Sequence, residues 1–176
     1  FDIQRVEVIK GPASALYPNN AFGGIVNVVS RDAPLSPETR VSIEAGDFSR
    51  LRAGLSTGAR VDKLGYFFDV NTRNLSGLRD ESVNDRDQVS AKLAYQLSDA
   101  TRVSTRIEYL DEYKIERADL TKEALETDPT QAGRLSSSTD LTQSSLSLNL
   151  EHLLESGQFD FALLRREKET VGESRF

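Results

Sequence analysis

The chain has no cysteine and a single histidine, His152. Disulfide staples and thiol chemistry are therefore excluded, and one histidine without cysteine does not make a usual transition-metal site. No apolar run approaches the ~20 residues that a membrane helix needs, which excludes a helical membrane protein. A basic excess is missing too. The 22 Lys and Arg face 28 Asp and Glu, a formal net charge of −6, so a duplex nucleic acid, whose binding depends on neutralised phosphates, is not an expected partner. Phe1-Asp-Ile-Gln4 opens directly on a strand pattern, with neither the basic nor the apolar region of a signal peptide, and the chain reads as an internal stretch. Only 38% of the residues are hydrophobic. That leaves transmembrane barrels open, because their strands alternate lipid-facing apolar with lumen-facing polar residues and look half polar in sequence.

What is present begins with two β-branched runs, Val6 to Ile9 and Ile25 to Val29. Between them stand Gly11-Pro12, a helix-permissive stretch, and Gly23-Gly24. The pattern predicts strand, turn, short helix, turn, strand. Gly11 can take backbone angles closed to other residues, Pro12 suits the first position of a helical turn, and Gly23-Gly24 allows a close reversal. Asp32-Ala-Pro-Leu-Ser-Pro37 follows as a linker, since two prolines so close together do not sit in a paired central strand.

From Glu38 the period changes to two. Val41, Ile43 and Ala45 share a face, and so do Leu51, Leu55 and Ala59; then Tyr66, Phe68 and Val70; Val89, Ala91 and Leu93; Val103, Thr105 and Ile107; Leu146, Leu148 and Leu150; Phe159, Phe161 and Leu163. The opposite face carries Arg52, Arg60, Arg73, Lys92, Arg106, Glu108 and Glu151. Tight turns are expected at Asp62 to Gly65, Ser98 to Ala100 and Glu155 to Gly157. Polar loops are expected at Gly77 to Arg86 and from Glu116 to Thr139, the latter with a helical turn or two over Ala118 to Leu125, stopped at Asp128-Pro129, and a polar Ser136 to Thr139. Every second connection is thus a tight turn, which fits the short periplasmic turns and longer outer loops of bacterial barrels better than a soluble meander. Alternation alone would also suit a soluble sheet with one wet side.

The stretch Ile3-Gln-Arg-Val-Glu-Val-Ile-Lys-Gly-Pro-Ala-Ser-Ala-Leu-Tyr17, with Ala21-Phe-Gly-Gly-Ile-Val-Asn27, resembles the end of the plug domain of TonB-dependent outer-membrane receptors. Two positions depart from the family's usual form: Lys10 stands where Arg is common, and Pro18 where Gly is usual. The expected fold is mainly β: a transmembrane antiparallel β-barrel, partial at about seven strands where about 22 close such a barrel, preceded by the C-terminal part of a small α+β plug domain. Residues 1–34 are assigned to the plug and 35–176 to the N-terminal part of the barrel. The plug motif comprises Arg5, Glu7, Lys10, Gly11, Pro12, Tyr17, Gly23, Gly24 and Asn27. Asn19, Asn20 and Phe22 are candidates for the ligand-facing apex, with plain turn chemistry as the competing account of the asparagines.

The resemblance implies TonB-dependent, energy-coupled uptake of a scarce ligand, an iron-siderophore complex first, across the bacterial outer membrane. Expected partners are outer-membrane lipid and the TonB complex, the latter through a plug segment and TonB box absent from this chain. No cofactor and no catalytic residue is expected. Arg5, Lys10 and Arg31 are candidates to pair with acidic lumen residues such as Glu108. Tyr66, Tyr95, Tyr109 and Tyr113 are candidates for the aromatic girdles. Asp80 to Asp87 is rich in carboxylates but lacks the spacing of a calcium loop, His152 reads as a surface residue, and the serine pairs lie in no nucleophile motif. The rival readings are a passive porin-like or structural barrel and a soluble β-rich carbohydrate-binding or adhesion module.

Overall fold

The computed structural model describes residues 3–11, 23–117, 119–133 and 136–175. Two sheets account for its strands. The first pairs β1 (Ile3–Lys10) antiparallel with β2 (Gly24–Ser30). The β-branched residues of both runs favour this pleated state. The helical stretch expected between them, with Pro12, Tyr17, Asn19, Asn20 and Phe22, lies outside the described residues.

The second sheet is a seven-stranded antiparallel meander in sequence order. Its strands are β3 (Glu38–Gly46), β4 (Arg50–Val61), β5 (Leu64–Asn74), β6 (Val83–Ser98), β7 (Thr101–Arg117), β8 (Ser136–Leu154) and β9 (Gly157–Arg175). Between β7 and β8 lies one short helix, α1 (Lys122–Thr127), where a turn or two was expected. Thr121 caps it by accepting from the Ala124 N–H at 3.2 Å, and Asp128 closes it.

The register carries the expected faces intact. Directly opposite residues share a face, and Ala59, Tyr66, Leu93, Thr105, Leu148 and Leu163 form one continuous row across β4 to β9. The parallel inner row runs Ser56, Asp69, Ser90, Glu108, Ser145 and Arg166. Burial is inverted relative to a water-soluble sheet. Ile43 is 75% exposed and Ile107 58%, while Asp69 and Ser90 on the other face are 1% and 3% exposed. An apolar face left open and a polar face covered is the arrangement that acyl chains on one side and a filled lumen on the other require. Tyr66, Tyr95, Tyr109 and Tyr113 are all exposed.

The structure departs from the simplest reading in three respects. The strands outgrow the ~10 residues of a membrane crossing: β8 and β9 have 19 residues each. Ser136 to Thr139, read as a loop, is the start of β8, paired with Lys114 to Arg117, and β6 begins at Val83, inside the loop expected to reach Arg86. Beyond the hydrocarbon a strand needs no apolar face, so the ladder continues while the alternation that betrays it fades. The third departure concerns turns. Asp62-Lys63 alone reverses the chain, with Asp62 at φ 49, and Gly65 belongs to β5, opposite Arg60. Likewise Gly157 opens β9, opposite Leu154. No helix among the described residues is long and apolar enough to cross a membrane, which says nothing of crossing strands.

Candidate functional site: the inner wall and the segment seated on it

The plug-motif residues that the structure describes form a self-contained hairpin. Glu7 lies opposite Asn27. Its carboxylate accepts from Arg5 Nε at 2.6 Å and from Asn27 Nδ2 at 2.9 Å. Those two hydrogen bonds hold Glu7 below the usual carboxylate pKa, the one from Arg5 contributing most. Gly11 and Gly23 join the hairpin's open end through Gly11 N–H to the Gly23 carbonyl at 3.4 Å. Gly24 is required twice over: its φ is +138°, and a Cβ there would stand 2.5 Å from the Ile9 carbonyl oxygen. Lys10 is exposed at the end of β1.

The ion pairs expected between plug cations and lumen carboxylates take a different form. Arg5 is held by Glu7 within the hairpin, and Glu108 takes Arg106 of its own strand at 2.7 Å. Arg31 has its Nε buried with no hydrogen-bond partner among the described residues. The described pairing between linker and wall has the opposite polarity. Asp32 supplies the carboxylate, and the wall supplies Lys92 Nζ at 2.6 Å and Arg102 Nη2 at 3.4 Å. Burial pushes the Asp32 carboxyl up, but the hydrogen bond and charge of Lys92, reinforced by Arg102, outweigh it and hold the pKa below its ordinary value.

Shape supports the same contact. Gly58 and Gly65 both belong to the inner face. A Cβ on Gly65 would stand 2.9 Å from the Ala33 Cβ, and one on Gly58 would meet Pro34 Cδ at 3.0 Å and Phe67 Cδ2 at 2.9 Å. The linker therefore lies directly on bare backbone, and Phe67 beneath it is 6% exposed. Sequence reasoning passed over this clasp. Asp32 looked like a linker residue, and Gly65 was assigned to a turn; the only signal was a glycine on the wet face of a strand, which often marks close approach of another backbone.

Around the clasp the wall is polar. A gap of about 330 Å³ is lined by Ile3 together with Arg52, Asn71, Arg73, Arg86 and Gln88. A second, of about 270 Å³, lies between Ser30 and Lys92, Ser104, Arg106 and Asn149. Arg73 is paired with Glu112 at 3.8 Å and Arg52 with Glu44 at 3.4 Å. Among the described residues no cluster of His, Asp and Glu could hold a metal ion. His152 lies near the end of β8, opposite Thr101, with Nδ1 2.8 Å from the Thr101 hydroxyl. Such a surface can exclude lipid, hold a plug by charge, and leave hydrated gaps; nothing in it activates a nucleophile.

A wall that is apolar outside and polar within, with a small separate sheet joined to its inner side, defines an outer-membrane barrel of the plugged class. The profile of the TonB-dependent receptor plug domain matches residues 1–25. The metal-pseudopaline receptor CntO of Pseudomonas aeruginosa is 31% identical over 109 residues, covering 60% of this chain and 15% of that protein. The rhizobactin receptor of Rhizobium meliloti is 30% identical over 134 residues, covering 63% of this chain and 18% of its own length. The crystal structure of the ferric-catecholate import receptor Fiu of Escherichia coli K12 superposes with a TM-score of 0.79 at 19% identity, over 98% of this chain and 29% of that one. Together these matches support a fragment of a TonB-dependent receptor of the bacterial outer membrane. It spans less than a fifth of the length of these two curated relatives. The matched proteins are transport receptors, not enzymes.

Proposed function

We propose that the receptor containing this chain performs energy-coupled uptake of a scarce ligand across the outer membrane, an iron-siderophore complex before any other. In this reading residues 1–34 are the C-terminal part of the plug and 35–176 the N-terminal part of the barrel. The observation that supports it is the seating of Asp32, Ala33 and Pro34, directly after the motif-bearing hairpin, on the polar face of the seven-stranded sheet. The names of relatives that bind metal-pseudopaline, rhizobactin and ferrichrome favour an iron or metal chelate; vitamin B12 and hemin among the other relatives mark the alternatives.

Each part of the chain has a task in that cycle. The outer face of β3 to β9 meets lipid. The Arg5–Glu7–Asn27 network and Gly11, Gly23 and Gly24 keep the hairpin rigid, and Lys10 lies beside the stretch of Pro12, Tyr17, Asn19, Asn20 and Phe22, which we assign to the plug core and the ligand-facing apex. TonB engages plug residues that this chain does not contain, and the pull reaches the hairpin through the rest of the plug.

The test uses the full-length receptor expressed in an outer membrane. Uptake of iron-55 as ferric siderophore is measured with an energised inner membrane and again after a protonophore collapses the gradient. Uptake that needs the gradient supports the proposal. Solute passage that survives the protonophore would make the protein a passive porin-like barrel, and recovery in the soluble fraction would restore the adhesion-module reading.

A further inference from the structure

Three connections leave the sheet at the end opposite the tight turns: 47–49, 75–82 and the one between β7 and β8, of which 119–133 are described. Loops of this length ordinarily sample several conformations. Here they are fastened. Arg79, from the connection between β5 and β6, donates Nε to the Gln131 carbonyl at 3.1 Å, Nη2 to the Ala132 carbonyl at 2.8 Å and Nη1 to the Arg117 carbonyl at 3.4 Å. The Asp80 N–H adds a bond to the Thr130 carbonyl at 2.7 Å, and the Ser76 N–H reaches the Phe48 carbonyl at 3.1 Å.

Charge and shape close the same joint. Arg117, whose side chain is only 9% exposed, pairs with Glu81. Gly133 has φ +75°, and a Cβ there would stand 2.9 Å from Arg79 Nη2 and 3.4 Å from Leu120 Cδ2. Only glycine satisfies that backbone angle and that space without strain. A guanidinium offers five donors in a fixed fork, so one side chain can hold carbonyls from two segments that are 38 and more residues away in sequence.

We propose that Arg79 fastens the outer connections into a single preformed lip, and that this lip is the surface an incoming ligand first meets. The second half rests on the uptake reading above. Arg79 is a positioning residue: it does not touch the ligand but spares binding the cost of ordering two loops. Its loss therefore weakens capture and leaves the later transport step, which depends on the plug, unchanged.

The full-length receptor, in a background free of other exposed cysteines, receives nitroxide labels at Leu78→Cys and Leu125→Cys, both exposed positions, and the distance between them is measured by pulsed electron resonance in outer-membrane vesicles. The wild-type background is expected to give one narrow distance distribution, and Arg79→Ala a broad one. Arg79→Lys, which keeps the charge and the stem but loses the fork, is also expected to broaden it. Heat-modifiable gel migration reports that each variant barrel is folded, and Arg79→Lys decides the question should Arg79→Ala fail to assemble. An equally narrow distribution in a folded variant overturns the latch.

Uptake is then followed with three probes: iron-55 as ferric enterobactin, iron-55 as ferrichrome and cobalt-57 cyanocobalamin. With the probe that the wild type transports, Arg79→Ala is expected to raise the half-saturating concentration about tenfold at unchanged maximal rate. An unchanged half-saturation alongside broadened distances overturns the role in capture. Transport of none of the three counts against the uptake reading, while the label distances still decide the lip.

Discussion

The two sheets of this chain carry their information in opposite ways. The β1–β2 hairpin is short, yet its sequence is restricted residue by residue. Gly24 has no room for a Cβ, Gly11 has φ +97°, and Glu7 needs both Arg5 and Asn27. The seven-stranded wall is long and permissive: any sequence that keeps apolar residues outward and polar residues inward satisfies the ladder. The crystal structure of Fiu accordingly superposes at 0.79 with only 19% identity. The lesson is that the hairpin carries the family motif and the wall displays the architecture. Local backbone demands leave a readable motif, whereas a binary pattern is met by many sequences.

Breaking the wall's pattern should have the largest effect. Leu148→Arg puts a charge on the apolar face that the uptake reading turns to lipid, in the row with Thr105 and Leu163, and should cost about 2–4 kcal/mol near the bilayer midplane. Asn149→Arg, one residue along and facing inward, should be tolerated; equal losses of folded receptor for the two variants on heat-modifiable gels would erase the distinction between the faces. Next comes the hairpin. Gly24→Ala should destabilise it by about 2 kcal/mol or more, because the backbone angle and the Ile9 carbonyl both resist a methyl group. Faster cleavage of residues 1–30 by added protease, with the barrel still folded, is the expected sign.

The clasp sharpens the comparison, since it is where the two sheets meet. Asp32→Asn should weaken linker docking by about 1 kcal/mol, a figure kept low because Asp32 is 42% exposed and the pair is partly screened. Its pH dependence has a definite sign. The folded pKa is depressed, so the stabilisation is complete above the ordinary Asp value of 3.8 and disappears as the pH falls through the lowered folded value. Protease access to the linker should therefore rise in acid below about pH 4 in the wild type, and stay flat in Asp32→Asn. The smallest effect belongs to Lys122→Ala: the Lys122–Glu126 pair is 3.8 Å long and both side chains are mostly exposed, so the change in melting of the folded receptor should lie within about 0.5 kcal/mol.

Much of the fold was legible because its cause is local. Seven runs of period two, the helical turn before Asp128-Pro129 and the alternation of tight and long connections all recur in the structure at or near the expected residues. What could not be read shares one physical origin: it lies where a segment meets a partner remote in sequence. Ser136 to Thr139 looks like a loop until Lys114 to Arg117 pairs with it. Gly65 looks like a turn residue until Ala33 settles on it, and Arg79 looks like a solvated loop arginine until the carbonyls of Gln131 and Ala132 reach it.

By itself, the sequence determined the pleat, the two faces, the spacing of the turns and the family motif, because each depends on neighbours within a few residues or on a fixed period. The tertiary structure decided how far the strands run beyond their apolar alternation, that among the described residues a linker carboxylate rather than a plug cation pairs with the wall, and that separate loops meet at one end of the sheet. Those depend on backbone groups and charges brought together across 38, 53 and 60 residues of chain, a separation at which no local pattern records the partner.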